Sequence, residues 1–131
     1  MQLETAPRDI NDRAFSFALD IVRTCETLIA KPGVSKTLGN QLLRCGTSIG
    51  ANMEEAQAAQ SSADFISKCS IALKEAREAV YWLRLIEASG CANGNFQLLL
   101  KEADEISRII ASIIVRTRSG TKKKMNRVPV F

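Results

Sequence analysis

Ser48, Asn52 and Glu55 are the residues of this chain whose types and spacing most resemble chemistry. They sit four and three apart in the run Ser48-Ile49-Gly50-Ala51-Asn52-Met53-Glu54-Glu55, so a hydroxyl, an amide and a carboxylate would share one face of a helix. A hydroxyl near a carboxylate can be read as a catalytic cluster. The chain has no histidine, however, which removes the commonest general base and metal ligand and any Ser-His or Cys-His pair. A di-metal carboxylate bundle would need Glu-x-x-His pairs and is excluded with it. Asn52 also falls on an apolar stripe, read as Leu38, Leu42, Cys45, Ile49, Asn52 and Ala56, with Ser48 one turn before it and Glu55 one turn after. An Asn in such a seam must be hydrogen-bonded and usually fixes register or pairing. The expectation is a structural polar core rather than an active site, hence no enzyme, no cofactor and no metal.

The cysteines are Cys25, Cys45, Cys69 and Cys91, with no CxxC pair. Three fall on apolar stripes of separate helices, where a reduced thiol acts as a small hydrophobe. Cys91 falls in a loop and is a candidate exposed thiol. The net charge of +4 is unevenly placed. All 14 acidic residues precede Arg116. Six of the 18 basic ones, Arg116, Arg118, Lys122, Lys123, Lys124 and Arg127, lie at or beyond it, leaving a body of net charge −2. Those six are the candidate nucleic-acid-binding residues, because clustered cations neutralise phosphates without reading bases. Arg116 and Arg118 also have a plainer role as cations near a helix C-terminus.

The elements that position these groups follow from periodicity. With 131 residues, 46% hydrophobic and 24% charged, the chain fits one soluble domain with one core. No apolar run approaches the ~20 residues of a membrane span, and Met1-Gln2-Leu3-Glu4-Thr5 does not resemble a secretory leader, so a cytoplasmic location is expected. Four helical segments are predicted, at about 9–30, 35–60, 62–89 and 95–118. Lys31-Pro32-Gly33 breaks the first. Ser61 caps the third and Gly90 ends it. Gly50 is a candidate for close helix approach, and Gly120 is the expected stop of the fourth helix, leaving 121–131 as a basic flexible tail. Long helices with short links must pack as antiparallel neighbours, which gives an up-down-up-down four-helix bundle over 1–120. Folding the second helix back on the third about residue 61 brings Asn52 near Ser70, Ser48 near Lys74 and Glu55 near Lys68. The expected polar core is therefore Ser48, Asn52, Glu55, Lys68 and Ser70. Leu98, Ile109, Ile114 and Val115 make the fourth helix apolar on more than one face, which points to oligomerisation. Tyr81 and Trp82 are adjacent, so one should face the core and the other a surface or interface.

Gln41-Leu42-Leu43-Arg44, Ser48-Ile49, Asn52-Met53, Glu55, Asp64-Phe65, Ser70-Ile71-Ala72-Leu73-Lys74-Glu75-Ala76 and Tyr81-Trp82-Leu83 resemble the pattern of the four-helix-bundle family also called the 23S rRNA intervening-sequence protein family. The resemblance spans about residues 10–115. Ala56 stands where the family pattern has Gly, and Glu75-Ala76 and Glu78-Ala79 depart from its third-helix Ser and acidic positions. The resemblance implies a small cytoplasmic bacterial protein without established catalysis, some members being encoded within inserts in ribosomal RNA genes. It also implies kinship to the accessory protein of diversity-generating retroelements, a homopentameric ring associated with nucleic acid and a reverse transcriptase. Subunit number five comes from that resemblance alone. Two functions remain open: a nucleic-acid-binding ring that uses the basic end with little sequence specificity, and a protein-interaction scaffold without nucleic-acid binding. Val128-Pro129-Val130-Phe131 would be a docking segment for the second.

Overall fold

The computed structural model describes residues 9–126, with side chains described through Lys122. Four helices follow one another: α1 Ile10–Ala30, α2 Val34–Gln57, α3 Ser62–Ser89 and α4 Gln97–Asn126. Among the described residues there is no strand.

Local chemistry sets the boundaries. Pro32 stops α1, and Gly33 turns the chain at φ 92°, a conformation that favours glycine. The buried Ser35 hydroxyl then donates to the Leu28 carbonyl at 2.8 Å, satisfying one of the acceptors left over at the end of α1. Ser61 caps α3 as expected: its Oγ accepts from the Asp64 amide at 3.0 Å, while the Asp64 carboxylate accepts from the Gln60 amide at 3.3 Å. Gly90 closes α3 in the left-handed region. Glu87 then anchors the start of α4, accepting from the Phe96 amide at 3.2 Å and from Gln97 Nε2 at 2.6 Å.

Each helix touches only its two neighbours around a square, and α1 meets α4 least. Neighbours are antiparallel. Along α1 and α2, Ala14 lies by Gly50, Ile21 by Gly46 and Leu28 by Gly39. The core contains Phe17, Ile21 and Leu28 of α1, Leu42, Ile49 and Met53 of α2, Leu83 and Ile86 of α3, and Ile106 and Ile110 of α4. Each such side chain contributes roughly 1.5–3 kcal/mol when buried. Three alanines of α3, Ala72, Ala76 and Ala79, are fully buried and let its neighbours approach closely. Burial raises the thiol pKa of Cys25 to about 11, that of Cys45 to about 12, and that of Cys69 above its usual value. Those thiols are packing groups.

The structure corrects three expectations. The α2 seam runs Leu42, Cys45, Ile49, Met53, Ala56, with Met53 2% exposed and Asn52 half-buried at its edge. The helix turns 3.6 residues at a time, so the step after Ile49 is four rather than three. Close approach to α1 occurs at Gly39 and Gly46. A Cβ at Gly39 would lie 2.8 Å from Leu28 Cβ, and one at Gly46 would lie 2.9 Å from Ile21 Cγ2. At Gly50 the α1 backbone does come near, but a Cβ would meet the Ala14 carbonyl oxygen at an ordinary 3.5 Å, so glycine is not required there. Finally, α4 does not stop at Gly120 but continues to Asn126. Glycine costs a helix only ~1 kcal/mol, and Arg118, Thr121 and Lys122 still lie beside Ser62, Ala63 and Ile66 of α3.

Candidate nucleic-acid interface

The polar trio does not form a cluster. The Asn52 amide donates to the Ser48 carbonyl at 2.8 Å, and the Ser48 hydroxyl donates to the Arg44 carbonyl at 2.8 Å, both within α2. Glu55 is exposed. Lys68 pairs along its own helix with Asp64 at 3.9 Å rather than with Glu55. Ser70 lines a groove on the α4 side of α3, turned away from Asn52. The expected core of Ser48, Asn52, Glu55, Lys68 and Ser70 is therefore not assembled. Residues a turn apart can satisfy each other's backbone acceptors, which leaves no demand for a partner across the hairpin.

The polar link between α2 and α3 lies one turn away. Arg44 reaches Glu75 at 3.3 Å and also pairs with Glu78, whose Oε2 accepts from Trp82 Nε1 at 2.9 Å. The Trp82 hydrogen bond, followed by the Arg44 guanidinium, holds the Glu78 carboxyl below its usual pKa. The fold-back about residue 61 pairs Arg44 with Glu78, so this link was within reach of the sequence register. Trp82 is half-buried and Tyr81 is 55% exposed, with ring centroids 5.1 Å apart in an edge-on contact. Trp82 is thus the inward member of the pair.

A second ion network joins α1 to α4. Arg13 Nε donates to Glu102 at 3.0 Å, and its Nη2 reaches Glu105 at 2.9 Å. These hydrogen bonds raise the Arg13 pKa and lower that of Glu105. Contact between α1 and α4 is otherwise sparse, so this pairing supplies much of their polar registration.

Of the six predicted cations, the structure brings two together. Arg118 and Lys122 are exposed, four apart on α4, and lie against the N-terminal half of α3. Arg118 shares a concavity with Ser70, Lys74 and Arg77. Arg116 lies two residues from Arg118, hence on another side, and its Nε donates to the Ser112 carbonyl at 3.4 Å. Lys123 and Lys124 belong to α4, but their side chains lie outside the described residues, as does all of Arg127. The segment Val128-Pro129-Val130-Phe131 lies outside them too. Sequence reasoning missed Lys74, Arg77 and Arg108. Lys74 and Arg77 were hidden by acidic neighbours in sequence, although their three-residue spacing puts them on one stripe of α3.

Four antiparallel helices, with Lys74, Arg77, Arg108, Arg118 and Lys122 along the α3–α4 side, define an all-α bundle protein. The profile of the 23S rRNA-intervening sequence protein family matches residues 8–112, and the chain belongs to that family. A solved structure from Bacteroides thetaiotaomicron, described as a protein with unknown function from the S23 ribosomal protein family, is similar to it at 39% identity and a TM-score of 0.74. The match covers 81% of this chain and 98% of that one. No curated protein sequence matches the chain. Among the described residues, no helix is long and apolar enough to cross a membrane.

Proposed function

We propose that this protein is a non-catalytic, cytoplasmic, oligomeric bundle that binds RNA or DNA through phosphate contacts from the basic C-terminal part of α4, with little sequence specificity. The supporting observation is that α4 is continuous through the lysine run, so Arg118 and Lys122 are held on one helix rather than carried on a free tail. A helix that fixes cations lowers the entropy lost when they meet phosphates. The family's description refers to intervening sequences of 23S rRNA, which makes RNA the first ligand to test.

The test is fluorescence anisotropy with labelled RNA and duplex DNA across a salt series. It compares the full chain with the triple variant Lys122→Gln, Lys123→Gln and Lys124→Gln, which keeps the helix length. The expected result is micromolar or tighter binding at low salt, lost steeply as salt rises, with the triple variant weaker and its log–log salt slope smaller by about 2–3. Absence of binding by the assembled full chain overturns the reading. The alternative, a protein-interaction scaffold without nucleic-acid binding, is favoured by the exposed apolar stripe Phe15, Leu19 and Val22 on α1. Self-association, pentameric by the family resemblance, is part of both readings.

A further inference from the structure

The cations on the outer side of α3 and α4 form a line rather than a cluster. Three concavities run end to end between these helices. The first is walled by Ser62, Ile66, Arg118 and Lys122, the second by Lys74, Arg77, Val115 and Arg118, and the third by Arg77, Val80, Ser107 and Arg108. Arg118 joins the first to the second, and Arg77 joins the second to the third. Measured along α3 from Ser62 to Val80 at 1.5 Å per residue, the groove is about 27 Å long. Lys74, Arg77, Arg108, Arg118 and Lys122 line it, and its one lining acid, Asp104, is taken up by Arg108 at 3.0 Å. Among the described residues, Arg77, Arg118 and Lys122 make no ion pair; Lys74 acts on the nearby Glu78. The floor is apolar, formed by Leu73, Ala111 and Ile114.

Tyr81 extends the same stripe of α3. Lys74, Arg77 and Tyr81 are spaced three and four apart, so the exposed ring stands one turn beyond Arg77. Its position is fixed from behind. Arg44 holds Glu78, Glu78 holds the Trp82 indole, and Trp82 meets the Tyr81 ring edge-on. This relay runs from α2 through α3 and ends on an exposed aromatic ring beside a row of cations.

We propose that the α3–α4 groove is a binding site for a single strand of nucleic acid, with Lys74, Arg77, Arg118 and Lys122 tracking its phosphates and Tyr81 stacking on a base. The proposal rests on the nucleic-acid reading above and moves its centre from the end of α4 to the length of the groove. A single strand is favoured over a duplex because a straight cation row with an apolar floor and a preset ring suits one backbone and unpaired bases. A duplex keeps its base faces stacked and offers this floor nothing. The groove is at the short end of the roughly 4–16 nucleotides that single-strand sites occupy. Lysine and arginine contacts to phosphates carry no base information, so sequence preference is expected to be weak.

The experiment measures anisotropy of a labelled 20-nucleotide oligouridylate, and of a duplex of the same length, on the full chain. Four proteins are compared: unmodified, the groove variant Lys74→Gln and Arg77→Gln, Tyr81→Ala, and the lysine-run variant described above. Lys74, Arg77 and Tyr81 are exposed, and helicity and size-exclusion volume are checked for each protein. The groove variant is expected to bind the single strand at least tenfold more weakly, with a salt slope smaller by about 1.4, or about 0.7 per lost contact. Tyr81→Ala is expected to lose at least fivefold with the slope unchanged, because stacking is not electrostatic. Binding that survives the groove changes but falls in the lysine-run variant overturns the groove and leaves the nucleic-acid reading standing. No binding by the unmodified chain overturns both. Preference for the duplex overturns the single-strand assignment. A groove variant that changes assembly while its binding is intact makes this face a contact between protein chains and overturns the site.

Discussion

At the scale of the residue, polarity and position are separate questions. Asn52 has the composition of a buried specifying residue, yet its amide is satisfied by the Ser48 carbonyl one turn back, at the edge of the seam. Met53, next to it, is the side chain that fills the core. Replacing Asn52 by Leu breaks a side-chain hydrogen bond that lies within α2 and improves helix propensity by a few tenths of a kcal/mol. Asn52→Leu is therefore expected to shift stability by less than about 1 kcal/mol in urea unfolding, with assembly unchanged. Met53→Ala leaves a cavity and should cost about 2–5 kcal/mol. The reverse order of severity would restore Asn52 to the seam and defeat the packing described here. The same separation applies to chemistry, because Ser48 spends its proton on the Arg44 carbonyl and Glu55 stands exposed.

At the scale of the element, glycines discriminate between faces that periodicity alone treats alike. Gly39→Ala would force a Cβ to within 2.8 Å of Leu28 Cβ, an atom next to the α1 backbone that cannot swing aside. The helix pair must then part. The overpacking cost of ~1–3 kcal/mol exceeds the ~1 kcal/mol gained by removing a helical glycine, so this variant is expected to be less stable. Gly50→Ala meets only ordinary 3.5 Å contacts and should gain up to ~1 kcal/mol. Thermal unfolding of the pair checks this. A Gly50→Ala loss as large as that of Gly39→Ala would mean the α1–α2 approach is misplaced. The contrast also marks what was legible beforehand. Four helices, their antiparallel order, the Ser61 cap and the Gly90 exit all follow from local rules, since caps, breakers and apolar spacing act within a few residues. The α2 seam phase did not, because one ambiguous step after Ile49 could be read as three or four. The end of α4 was missed because Gly120 carries only a modest penalty that contact with α3 outweighs. The basic face was half legible. Arg118 and Lys122 stand out in a lysine-rich end, but Lys74, Arg77 and Arg108 join them only when two helices pack.

At the scale of the whole molecule, the question is which face another copy would cover. Phe15 is 70% exposed, and Leu19 and Val22 follow it four and three residues on, all projecting from one side of α1. Leu98 and Val115 of α4, the helix whose sequence first pointed to oligomerisation, are also exposed, but 17 positions apart they form no stripe together. The α1 stripe is thus the better anchor for self-association. Symmetry adds a constraint. A stripe that pairs with itself gives a twofold dimer, whereas a closed ring needs it to meet a different patch on the next subunit. Light scattering after size exclusion separates these cases, with a mass of twice the chain for the dimer and five times the chain for the ring implied by the family resemblance. The ring is the expected outcome. Phe15→Ser combined with Leu19→Ser should lower the mass while leaving helicity unchanged, because neither side chain belongs to the core of the single chain. A full chain that stays monomeric at tens of micromolar would sink self-association altogether. A mass unaffected by the double change would move the interface away from α1.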